Sequence, residues 1–348
     1  VSRGYFKGLR AKNSEFIASQ MQKMINGVDE SLVTNKNELG KTTFNIINDG
    51  KKAAGTLLDN DLTAIKTTFG TSKVDVAPVA NALRTYLNNN SKEFGSTLDK
   101  GTVAQVNSII SRIDGLAPPK PSQNSLAAFT QAGKSVKAPV EAIIDFEKKL
   151  NREIDSLGDF GSPSFNSVAS RELAQVSKLV KETILKQYEK EGLPELATQY
   201  QAANKTYSTV IKSLFPSNTE NLLKGASKKQ NYKAVGRLLI GATDTDQINA
   251  FMKSIDTSYA TLVKAGKAKG ALKPEEFKSA VRQSYLQDVF GASPKDPSEL
   301  FNSKYIKICD SLQNPTNREA VKAVLGKDFA GYNALMKALK DSSDTQKS

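Results

Sequence analysis

Apolar residues along this chain recur at steps of three and four. Leu196, Tyr200, Ala203, Tyr207, Val210 and Leu214 are spaced four, three, four, three, four, which places all six on one face of a helix opening at Pro194. The same stepping appears at Ile17, Met21, Met24 and Val28, at Leu173, Val176, Val180, Ile184 and Tyr188, and at Phe301, Tyr305, Ile308 and Leu312. The alternation by two that half-buried strands need is missing. Start signals agree: Asp296-Pro297-Ser298-Glu299, Ser217-Asn218-Thr219-Glu220 and Asp244-Thr245-Asp246-Gln247 each offer a capping side chain with a partner three positions on. Gly192 ahead of Pro194, and Asn314-Pro315, each separate two helices. Connections this short join antiparallel neighbours. The pattern predicts an all-α fold, an elongated array of amphipathic helices and helical hairpins.

The N-terminal third reads differently. Leu32, Leu39, Ile46 and Ala53 recur every seven residues while Asn35, Thr42 and Asp49 are polar, which is half of a coiled-coil seam on a long helix. Leu58, Leu62, Ile65 and Phe69 continue with a fuller stripe that Gly70 stops. Helices draw most of their stability from packing, and one this rich in Asn and Thr needs a neighbour. Leu32, Leu39, Ile46, Leu58, Leu62 and Ile65 are therefore expected to form an interface with other subunits. Ala117-Pro118-Pro119-Lys120-Pro121 enforces extended backbone. It divides the chain into an assembly region, 1–116, a linker, 117–121, and a multi-helix array, 122–348.

Composition narrows the chemistry. The 348 residues include no histidine, no tryptophan and one cysteine, Cys309. Histidine-dependent nucleophiles, imidazole metal sites, intrachain disulfides and CxxC redox pairs are excluded. Glu189, Glu191 and Glu195 sit beside lysines, where solvation favours ionised surface charge over a catalytic acid. Cys309 falls one position past an apolar stripe and reads as a buried thiol. We expect a non-enzymatic protein without metal or cofactor. No apolar run approaches the length of a membrane span, and Val1-Ser2-Arg3-Gly4 lacks both an initiator methionine and a signal-peptide core, as expected of a processed chain or a segment of a longer one.

Charge supplies the remaining candidates. Lys+Arg 49 against Asp+Glu 36 gives a net +13, a bias toward polyanions. Lys224, Lys228, Lys229, Lys233 and Arg237 lie close together, and Lys264, Lys267, Lys269 and Lys273 crowd a glycine-containing loop. Each cation that neutralises a phosphate releases counterions, so both clusters are candidates for sequence-independent DNA contact; a plain solvated face is the alternative.

The segment containing Leu196, Tyr200, Ala203, Asn204 and Tyr207 resembles a helix that recurs in internal core, or ejection, proteins of short-tailed bacteriophages, where the pattern is Leu-x-x-x-Tyr-x-x-Ala-Asn-x-x-Tyr. The resemblance implies a structural protein of the virion interior, packed near the portal with other core or portal proteins as a homo-oligomeric ring or tube. It implies departure with the genome to the host cell envelope, with transient membrane contact. Some members carry a lytic transglycosylase, whose glutamate motif has no counterpart here. Marginal helical units with mostly local contacts would suit passage through a narrow portal. Two other readings stay open: a non-viral helical scaffold that binds an acidic partner, and a carboxylate-dependent cell-wall hydrolase.

Overall fold

A computed structural model describes residues 15–24, 26–92, 98, 100–116, 137–158, 167–291 and 303–347. The fold is all-α. Helix α1 covers residues 15–24. It is followed by α2 (Lys36–Phe69), α3 (Ala77–Lys92), α4 (Lys100–Asp114), α5 (Val140–Gly158), α6 (Ser167–Lys190) and α7 (Pro194–Leu214). Then come α8 (Ser217–Lys228), α9 (Lys233–Gly241), α10 (Thr245–Lys264), α11 (Pro274–Phe290), α12 (Ser303–Ser311), α13 (Pro315–Leu325) and α14 (Phe329–Lys347). One strand pair departs from the helical expectation: β1 (Lys73–Asp75) runs antiparallel to β2 (Lys137–Pro139), with Val74 opposite Ala138. Three residues are too few to print an alternating pattern in the sequence.

One of the three expected caps forms, at Asp244, and Asn314, expected only as a break between helices, also caps one. Asp244 accepts from the Gln247 N–H at 2.9 Å and Asn314 from the Thr316 N–H at 2.9 Å. Gly192 separates α6 from α7 at φ +74°, a left-handed value that glycine takes without strain. Ser217 is not a cap: Pro216 holds that position and Ser217 is already helical. The signal at 296–299 lies outside the described residues.

The chain divides into two compact units, the first built from 1–54 and 210–348, the second from 55–209. The division expected at 117–121 falls on a segment outside the described residues. Leu83, Ile109 and Ile113 from before it share one core with Ile143, Leu150 and Val176 from after it. Prolines can end a helix without ending a core.

Of the six residues assigned to a subunit interface, Leu39, Leu62 and Ile65 are buried within the chain's own cores and Leu32, Ile46 and Leu58 are half-buried. Leu32 lies in a short 3-10 turn ahead of α2, so the seven-residue series does not share one helix. Leu39 is buried in the core of the first unit and Ile46 packs against it; Leu62 and Ile65 are buried in the second, with Leu58 packed alongside. Only Leu32 stands apart from both cores, half-buried. Glycines beside the seam allow close backbone approach by other helices of the same unit. A Cβ added at Gly40 would stand 2.1 Å from the Tyr232 carbonyl oxygen, and one at Gly236 only 1.7 Å from that of Lys36. At Gly50 it would meet Ser258 Oγ at 2.4 Å, and that hydroxyl donates to the Ile46 carbonyl at 2.5 Å. Helices α9 and α10 thus rest directly on the backbone of α2.

Some contacts of the first unit join distant parts of the chain. The Thr34 N–H donates to Ser284 Oγ at 3.0 Å and Lys36 Nζ to Asp288 at 2.8 Å, across 250 and 252 positions.

Candidate nucleic-acid interface

Helices α8 and α9 each bury one face. Thr219, Leu223 and Ala226 of α8 and Val235, Gly236, Leu239 and Ile240 of α9 point into the core. The faces left over carry the basic residues. Lys224 and Lys228 are four apart on the last turns of α8, Lys229 is its C-cap, and Lys233 and Arg237 are four apart on α9; all five are exposed. Lys224 pairs with Glu220 at 2.6 Å, the lone acidic residue between Ser217 and Gly241. Among the described residues Lys229, Lys233 and Arg237 have no ion-pair partner.

Helix dipoles sharpen this corner. Lysines at the end of α8 sit at its partial negative pole, where cations are favoured. At the start of α9 the preference is violated. Its first turn has no acidic residue, Tyr232 supplies no side-chain cap, and Lys233 adds a full positive charge to the positive pole. That combination favours an anion over a cation, with the Lys233 N–H itself already donating to Asn231 Oδ1 at 3.1 Å.

The second cluster, Lys264, Lys267, Lys269 and Lys273, is exposed on the α10–α11 connection. The two clusters do not merge around a single point. Tyr232, next to Lys233, meets α2 at Gly40, while Ser258, six residues before Lys264, meets it at Gly50. Ten helical residues span about 15 Å.

A different group escaped the sequence reading. Glu147 of α5 is a fully buried carboxylate, and it accepts a 2.5 Å hydrogen bond from the Tyr200 hydroxyl of α7. Tyr188 of α6 meets the Tyr200 ring edge-on, centroids 5.9 Å apart. Neither Tyr188 Oη nor the second oxygen of Glu147 has a hydrogen-bond partner among the described residues. Burial pushes the Glu147 carboxyl up to about 7, against the Tyr200 hydrogen bond and the nearby Lys181 charge, which favour ionisation. Both phenols are held well above their ordinary range by burial and by Glu147. A signal for this group was present: Ile143, Glu147, Leu150 and Ile154 step four, three, four, so the carboxylate occupies the buried stripe.

No known protein family, no curated protein sequence and no solved structure matches this chain. The site is therefore read from its own chemistry. The phage-like pattern on α7 is largely accounted for by packing: Leu196, Tyr200 and Ala203 are buried, and Asn204 donates to the Tyr200 carbonyl at 2.9 Å.

The other candidates are placed as follows. Glu191 pairs with Lys137 at 2.8 Å, and Glu189 and Glu195 are exposed. Among the described residues no group of three or more Cys, Asp or Glu could hold a metal ion, and no helix is long and apolar enough to cross a membrane. Cys309 is buried, its thiol donates to the Met336 carbonyl at 3.0 Å, and burial pushes its pKa up to about 11. The native protein should therefore leave an aromatic disulfide reagent unreacted at pH 8 and release its single thiol in denaturant. Rapid labelling before unfolding would contradict that assignment.

Proposed function

We propose that this chain is a non-enzymatic helical structural protein that acts by contact, its α8–α9 corner resting on DNA phosphates without regard to sequence. The observation that carries the reading is the corner itself: five exposed cations against one carboxylate, with a lysine on the positive pole of α9. The α7 resemblance supports a setting in the internal core of a phage particle, beside other core or portal proteins and leaving with the genome. Copy-to-copy assembly belongs to the same proposal. Its contacts fall to residues other than the buried seam of α2.

Duplex DNA titrated at several salt concentrations tests the corner. Binding should weaken steeply with salt and be indifferent to sequence. Replacing Lys228, Lys229, Lys233 and Arg237 together by glutamine should reduce the slope of log K against log salt by up to about 3.6, at roughly 0.9 for each phosphate no longer neutralised. These side chains are exposed, so helix content should not change. An unaltered slope removes the corner from the proposal.

A further inference from the structure

Among the described residues, the large apolar side chains left exposed are Phe16, Val263 and Leu272. Two of the three bracket the connection between α10 and α11. Val263 is 52 % exposed on the last turn of α10, and Leu272 is 38 % exposed just before Lys273, the N-cap of α11. Lys278 of α11 pairs with Asp256 of α10 at 3.0 Å, so the two helices lie side by side and the connection forms the tip of a hairpin.

This tip is a built loop. Gly266 N–H donates to the Val263 carbonyl at 3.0 Å, Lys267 N–H to that of Leu262 at 2.8 Å, and Ala271 N–H to that of Ala268 at 3.1 Å. Gly266 and Gly270 take φ of +68° and +77°, left-handed values that glycine adopts without strain where the chain turns. Between Asp256 and Glu275 the sequence holds four lysines, Lys264, Lys267, Lys269 and Lys273, and no acidic residue.

Two exposed aliphatic side chains on a connection that also carries four exposed lysines suit a surface that is anionic at its face and apolar just beneath it. Duplex DNA offers the charge without the apolar layer. A bilayer with anionic headgroups offers both. The α8–α9 corner lacks the second half of this pattern, because its large apolar residues Leu223, Val235 and Leu239 are all buried. We propose that the α10–α11 tip docks on an anionic lipid bilayer, with Val263 and Leu272 entering the headgroup boundary and the four lysines neutralising the headgroups. This goes beyond the DNA reading and does not rest on it.

The chain has no tryptophan, so Leu272→Trp is a single-site reporter at an exposed position. Its emission should move to the blue with vesicles of about 30 % phosphatidylserine in phosphatidylcholine, and stay put with pure phosphatidylcholine or with duplex DNA. In sedimentation with the anionic vesicles, a Val263→Ser/Leu272→Ser variant of the full chain should partition about tenfold less, the worth of roughly two buried methylene groups. Its DNA affinity should not change. Each tip lysine replaced by glutamine should lower partitioning about fivefold. No emission shift, a shift with DNA instead of vesicles, or a double serine variant that sediments like the unmodified protein would each overturn the proposal.

Discussion

Gly236→Ala should destabilise the first unit by about 3 kcal/mol or more, read as a lowered urea midpoint in circular dichroism. Alanine is ordinarily the better helix former by about 1 kcal/mol, so substitution in a helix should help. Here the new methyl would stand 1.7 Å from the Lys36 carbonyl oxygen and 2.5 Å from its carbon. Those are backbone atoms at the start of α2, and no rotamer change relieves the overlap. Gly40→Ala strikes the same crossing from the other helix, 2.1 Å from the Tyr232 oxygen. The double variant should lose less than the sum of the singles, since one substitution already parts the helices. Gly225→Ala is the control: nothing lies within 4 Å of its added methyl, and it should gain roughly 0.5–1 kcal/mol. Equal effects at Gly236 and Gly225 would mean that α2 and α9 do not touch as described.

Glu147→Gln should remove a pH dependence from the stability of the second unit. With its carboxyl near 7 in the folded protein and at its ordinary 4.5 when unfolded, Glu147 keeps a proton on folding that the unfolded chain releases between those values. Stability from this group is complete below pH 4.5 and is lost as pH rises toward 7. The loss across that window is about 3 kcal/mol. The phenols that face it, Tyr188 of α6 and Tyr200 of α7, keep their protons throughout that range, and the charge near it is Lys181 of α6. Glutamine keeps an acceptor for the Tyr200 hydroxyl without acquiring charge. The variant should match the parent near pH 4 and exceed it at pH 8. Parallel urea midpoints for parent and variant from pH 4 to 8 would refute the assignment.

Helices were the legible part of this sequence, because a buried stripe prints its spacing of three and four directly: α7 begins and ends where Pro194 and Leu214 indicate. The partners of α2 were not legible. Glycines at 40, 50 and 236 make contacts by lacking a side chain, and a pattern search for apolar residues passes over them. Hence a helix that read as unfinished proved to be covered by its own chain. Long-range closure was hidden for a related reason, since nothing in Thr34 or Ser284 marks them as neighbours. The basic residues were legible as charge. That two of three exposed apolar groups flank one lysine cluster and not the other required burial to be known.

The discontinuity of the first unit bears on how the polypeptide is made. Residues 55–209 form an uninterrupted stretch with a core of their own, and they leave the ribosome complete while Leu39 and Ile47 still lack α9, α10 and α11. Domains generally fold as units in the order of synthesis. The inner module therefore matures first, and the segment ahead of it waits, apolar face uncovered, for chain emerging more than 150 codons later. During that interval, the nascent chain should expose apolar surface that its finished form covers.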